Sequence, residues 1–159
     1  MTTDVADELL RVIEASSEAL IRLADSEAAH RPAAGKWSKK EILGHLIDSA
    51  TNNHHRFVRA QQAEEFTFPK YEQEHWVSSQ GYEERPWPEL VELWRLYNRH
   101  LAHVIRRIPK EKLRVICKIG PDEAVSLGYL VEDYVVHLKH HLRQMNWFEA
   151  AAVFGEEKV

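Results

Sequence analysis

Apolar side chains recur at three- and four-residue steps along four long stretches of this chain, the spacing of one face of an α-helix. The first stretch runs from about Asp4 to Ala24, with Leu9, Ile13, Ser16, Leu20 and Leu23 as its seam. The second opens at Ser38, three residues before Glu41. That is a capping box, in which hydroxyl and carboxylate each satisfy a free amide of the first turn. It carries Ile42, Leu46, Ala50, Asn53 and Phe57 inward and ends near Gln61. The third begins at Pro88, a residue suited to the first helical position, and stops before Pro109. Its stripe is Leu90, Trp94, Tyr97, Leu101, Val104 and Ile108. The fourth follows Ser126 and runs from about Leu127 to Glu149. Each helix must bury one stripe, so the pattern predicts an all-α four-helix bundle, a single domain over residues 1–159.

The connections are unequal. Residues from about Ala63 to Pro86 form a long, aromatic-rich connection between the second and third helices, with Phe66, Phe68, Tyr71, Trp76 and Tyr82. A stretch of that length is functional or carries a short helix of its own, and Tyr71 to Gln80 could supply one. It could roof a cavity or form a satellite core. The connection 109–125 turns at Gly120-Pro121-Asp122 and holds the one cysteine, Cys117, in a short β-prone run. One cysteine excludes an internal disulfide and a cysteine-based zinc site.

The formal net charge is −4 and no basic patch stands out. Arg106, Arg107, Lys110, Lys112 and Arg114 read as a solvated helix end, where cations suit the dipole. Nucleic acid is therefore not an expected partner. No apolar run approaches the ~20 residues of a membrane span, and the first residues lack the basic-then-apolar order of a secretory signal. The expectation is a cytoplasmic protein with a small-molecule substrate and no membrane partner.

Ten histidines need an explanation. At about 100° per residue, His141 falls within the apolar face of the fourth helix and His137 at its edge, while His140 points away. His137 and His141 are therefore i, i+4 neighbours, close enough to chelate one ion. On the second helix His45 lies at the edge of the apolar face, beside a polar strip of Asp48, Ser49, Asn52 and Arg56. That strip suits either ordinary amphipathicity or a cavity wall. His54, His55 and His103 read as surface, His100 as borderline, and His75 as a weak fourth ligand candidate. Spacing alone leaves the His137/His141 pair open between coincidence and chelation.

Two segments carry a family resemblance. Trp37-Ser38-Lys39-Lys40-Glu41-Ile42-Leu43-Gly44-His45-Leu46-Ile47-Asp48-Ser49 resembles the second-helix signature of the DinB/YfiT-like superfamily. Glu132-Asp133-Tyr134-Val135-Val136-His137-Leu138-Lys139-His140-His141-Leu142-Arg143-Gln144 is similar to that family's last-helix HxxHHxxQ pattern. Their order and separation also match. The resemblance implies a four-helix bundle, often a homodimer, with one divalent metal, zinc or nickel, on three histidines. Carried over position by position, these are His45, His137 and His141. Its members include metal-dependent hydrolases and thiol-dependent S-transferases or isomerases.

Three imidazoles leave a coordination position open, the pattern of a catalytic site. The first expectation is a hydrolase using metal-activated water. One alternative is an S-transferase or isomerase that activates a low-molecular-weight thiol. The other is a non-enzymatic metal-binding or dimeric scaffold. Asp48 and Asp133 are the candidate proton carriers, and Asp133 could instead accept the second N–H of His137. Asn52, Arg56, Gln144 and Trp76 are the candidate substrate contacts, with Arg56 suited to an anionic group. Val136 and Trp147, apolar on the outward side of the last helix, could mark a subunit contact.

Overall fold

The capping box forms as its spacing requires. Ser38 Oγ accepts from the Glu41 amide at 3.2 Å, and the Glu41 carboxylate accepts from the Ser38 amide at 2.8 Å. The computed structural model describes residues 1–145. In chain order the elements are α1 (Thr2–Leu20), α2 (Asp25–Ala29), α3 (Lys39–Arg59), β1 (Glu65–Phe68) and α4 (Gln73–Gln80), followed by α5 (Trp87–Arg106), β2 (Ile116–Ile119), β3 (Val125–Ser126) and α6 (Leu127–Gln144). Short 3₁₀ turns lie at Ala60–Gln62, Tyr82–Glu84 and Lys110–Arg114.

Helices α1, α3, α5 and α6 are the expected bundle. α1 packs on α5 and α6, and α3 packs on the same two, so helices adjacent in space are not all adjacent in sequence. Leu43, Phe57, Trp87, Trp94, Leu101 and Leu138 are fully buried between them. Inside this core Tyr134 donates its hydroxyl hydrogen to Asn98 Oδ1, and Asn98 Nδ2 donates to the Trp94 carbonyl at 2.9 Å, so the polar atoms are paired where they are buried.

The region after the first helix differs from the sequence expectation in two ways. The first helix ends at Leu20 rather than near Ala24, because the chain turns where the Leu20 carbonyl accepts the Trp87 indole N–H at 2.7 Å. Asp25–Ala29 then forms the separate short helix α2 in what reads as a loop. Asp25 ties three elements together: its carboxylate accepts from the Trp87 amide at 2.8 Å and pairs with the buried Lys40 ammonium at 2.9 Å. The last helix is described as far as Gln144, and the expected end at Glu149 lies outside the described residues, as does Trp147.

A small sheet is the larger addition. β1 pairs in parallel with β2, Glu65 opposite Ile116 through Phe68 opposite Ile119, and β2 pairs antiparallel with β3. Phe68 and Cys117 face the core. The sheet joins the two long connections over one end of α3 and α6. Tyr71–Gln80 does supply a helix, α4 at Gln73–Gln80. Among the described residues no helix is long and apolar enough to cross a membrane.

Gly44, one residue before His45, sits under the ring of Tyr82, and a Cβ there would stand 2.1 Å from Tyr82 Cδ2. Gly44→Ala is therefore expected to push Tyr82 off α3 and cost about 1–3 kcal/mol. Urea unfolding of the two proteins checks this, and an unchanged midpoint contradicts the contact.

Candidate metal centre

The packing of α3 on α6 creates the site. His45 on α3 is 1% exposed, and His137 and His141 on α6 are half-buried. Ring centroids lie 5.3 Å apart for His45 and His137, 4.6 Å for His45 and His141, and 4.5 Å for His137 and His141. The ring nitrogens point at one another. His45 Nε2 is 3.4 Å from His137 Nε2, which is 3.1 Å from His141 Nε2, and one nitrogen from each ring lies within 4.8 Å of the other two. An ion bound tetrahedrally at ~2.0–2.1 Å holds nitrogen ligands about 3.3 Å apart. The three rings therefore fit a divalent metal with little movement.

Protonation supports the same reading. Burial, with the other two histidines nearby, lowers His45 from its ordinary 6.5 to about 3. Burial first, then His141 and His140, lowers His137 to about 4. Burial also lowers His141, while Gln144 pulls it back up. Near neutrality each imidazole keeps a lone pair for a metal. His141 Nδ1 lies 2.8 Å from Gln144 Oε1, and an amide oxygen can only accept. So Nδ1 carries the proton and Nε2 is left as the free ligand. Gln144 Nε2 in turn lies 3.1 Å from His140 Nε2, which can accept from it when the His140 proton is on Nδ1. Trp37, half-buried just before the capping box, stands 5.3 Å from the His45 ring and walls that side.

A cleft of about 450 Å³ opens beside His45 and His137. Arg56 lines it from α3. Lys70 and Tyr71 line it from the connection after β1, Ile119 from the end of β2, and Asp122 from the turn that follows. The sheet brings these two connections together.

The other candidates fall in several places. Asp48 is buried near His45, but its Oδ1 accepts from Tyr82 OH at 2.6 Å and Gln80 Nε2 at 2.7 Å. Burial raises its carboxyl and those two bonds lower it. Its bonds tie α4 and the following turn to the histidine helix. Asn52 donates to its own helix at the Asp48 carbonyl, 2.9 Å away. Gln144 holds His141. Trp76 does not reach the cleft: its ring packs on Tyr71 at 5.3 Å and borders a separate depression with His75, Ser79 and Gln80. His75 is exposed and stands apart from the three histidines. Asp133 is exposed, and among the described residues no hydrogen bond joins it to His137. The reason is angular: with His141 about 50° and His137 about 90° from the centre of the apolar face, a further step back in the same row reaches about 130°, the solvent side.

His54 is half-buried rather than on the surface, with Nδ1 2.8 Å from Tyr97 OH and its ring 5.3 Å from that of His100. Tyr71, Lys70 and Asp122 escape a reading of the sequence, because nothing local links these irregular positions to His45. Trp37 lies inside the quoted motif, and its place next to the capped helix start was the available signal.

Comparison with known proteins finds a family and a similar solved structure. The model of the DinB superfamily matches residues 8–145. Among solved structures, a similar chain is YfiT from Bacillus subtilis, described as a probable metal-dependent hydrolase with an unusual four-helix bundle topology. The two are 19% identical, with a TM-score of 0.78 over 97% of this chain and 87% of that one. No curated protein sequence matches the chain.

Two outcomes are expected at this centre. His45 and His137 titrate lower folded than unfolded, so as pH falls below 6.5 the unfolded chain binds protons first. The metal-free protein should be most stable above pH 6.5 and lose stability steadily towards about 4, as followed by urea unfolding across that range. His45→Ala should flatten the slope, and an equally steep slope in that variant would rule out the linkage. Separately, Gln144→Leu should weaken zinc binding about 10–100-fold, measured by competition with a chromogenic chelator.

Proposed function

Because the chain belongs to the DinB superfamily, we propose that it is a metal-dependent hydrolase of a small-molecule substrate, working from one divalent ion held by His45, His137 and His141. The observation that carries this reading is the convergence of three neutral imidazole nitrogens at the side of an open cleft. Among the described residues no cysteine, carboxylate or further histidine joins the group. A three-ligand set of this kind leaves room for water or substrate, unlike the closed four-ligand set of a structural site. A divalent ion held there supplies Lewis acidity, activating water and polarising a carbonyl.

The chain's own residues do the rest. Gln144 holds His141 in the tautomer that presents Nε2. Trp37 and the α3/α6 seam keep bulk water from the buried side of His45. The cleft lets a substrate approach from the opposite side, between α3 and the two connections. Zinc and nickel both suit imidazole ligands.

We also propose that the outward face of α6 is a homodimer contact, on the exposure of Tyr129 and of Val136, which is 64% exposed. Sedimentation should show a dimer at micromolar concentration, and a monomer there removes this part.

The central test is metal content of untagged protein by inductively coupled plasma mass spectrometry, with ester hydrolysis measured alongside. About one ion per chain is expected, lost in His137→Ala, with turnover abolished by chelation and restored by zinc or nickel. A wild type that holds no metal after loading and dialysis rejects the reading. Turnover that appears only with an added thiol replaces hydrolysis with group transfer.

A further inference from the structure

We infer that the cleft beside the three histidines takes a substrate bearing a carboxylate, with Arg56 as its receptor and Tyr71 beside it. The inference rests on reading this cleft as the substrate site and adds the chemical class that enters it.

Arg56 is a half-buried cation whose hydrogen bonding is far from used up. Its Nη1 reaches Asn53 Oδ1 at 3.5 Å, a neutral amide on its own helix. Among the described residues no carboxylate pairs with it. The acid nearest in function, Asp122, is instead engaged by Lys70 at 3.5 Å. Burial weighs against the charged guanidinium, and Tyr71, Cys117 and Asp122 support it only at a distance. Desolvating a cation without a hydrogen-bonded counter-ion is costly. The planar fork of a guanidinium is the group best shaped to receive a carboxylate in two parallel hydrogen bonds.

The charge balance of the walls separates a carboxylate from a phosphate. Arg56 and Lys70 contribute two positive charges, Glu72 and Asp122 two negative ones, and Lys70 is already paired. With the Lys70–Asp122 pair set aside, one guanidinium and the Glu72 carboxylate remain, a balance that suits a single negative charge better than a dianion.

Geometry places this receptor in line with the metal site. Arg56 follows His45 by three helical turns, so both lie on one face of α3, their Cα atoms about 16 Å apart. Helical side chains lean towards the N-terminus, which aims Arg56 back at the histidines. Ser49 lies on the strip between them and is buried. The cleft thus has nitrogen ligands, His45 and His137, and a guanidinium, Arg56, in one lining. The matching substrate carries its carboxylate several bonds from the group that reacts.

The experiment uses chelator-treated, metal-free protein, so that a carboxylate cannot bind through the metal and a failure of the hydrolase reading leaves the result unaffected. The probes are hexanoate, hexan-1-ol and hexyl phosphate, titrated at mildly alkaline pH against ¹⁵N-labelled protein by NMR. Hexanoate is expected to produce saturable shifts at Arg56 Nε–H and at Tyr71, with hexan-1-ol at least about tenfold weaker. Arg56→Gln should remove that preference. Arg56→Lys keeps the charge without the fork and should weaken hexanoate several-fold, which serves if Arg56→Gln does not fold. Equal binding of hexanoate and hexan-1-ol overturns the inference, as does a preference that survives both substitutions. Tighter binding of hexyl phosphate than hexanoate overturns the carboxylate assignment.

Discussion

Three imidazoles can face one another at hydrogen-bonding distance only if they stay neutral, and burial is what keeps them so. His45 at the α3/α6 seam is withdrawn from water, and the cost of charging it there is the main cause of its low proton affinity. The same packing that lowers His45 and His137 brings their Nε2 atoms to 3.4 Å. Close approach and neutrality are thus one event, and a lone pair aimed at a shared point follows from both. The helix contact therefore sets both the shape and the electrostatics of the site.

The rest of the fold holds that contact in place. The capping box starts α3 six residues before His45, and the buried Glu41 also pairs with Arg31, which anchors the preceding loop. Asp25 links Lys40 on α3 to the first amide of α5. Tyr82 lies on Gly44 and bonds Asp48, so the histidine helix is gripped within one turn of His45. These are short polar ties at the end of the bundle where the site lies, and each limits a different motion of α3.

The small sheet has another task. Pairing β1 with β2 joins the connection after α3 to the one before α6. Lys70, Tyr71 and Asp122 leave those strands and become one wall of the cleft. The bundle thus carries the ligand nitrogens on rigid helices while the connections shape what can approach them.

How far the sequence reached depended on how local each interaction is. The capping box joins residues three apart, the His137/His141 pair joins residues four apart, and the apolar stripes repeat along single helices. Such relations are set by helical geometry alone, so the four bundle helices, the start of α3 and the chelating pair on α6 were legible. The position of His45 opposite that pair came from family resemblance, because no spacing within one helix can report a partner 92 residues away. The sheet was missed because its strands are four residues long and Glu65 pairs with Ile116 across the whole of α5. No periodicity orients the irregular segment that holds Tyr71 and Trp76, and the tertiary packing turns Tyr71 to the cleft and Trp76 away from it. The sequence determined which helices form and which faces they bury. The tertiary structure decided which nitrogens meet, which cation is left without a counter-ion, and which connection roofs the site, since each of those depends on how separate elements pack.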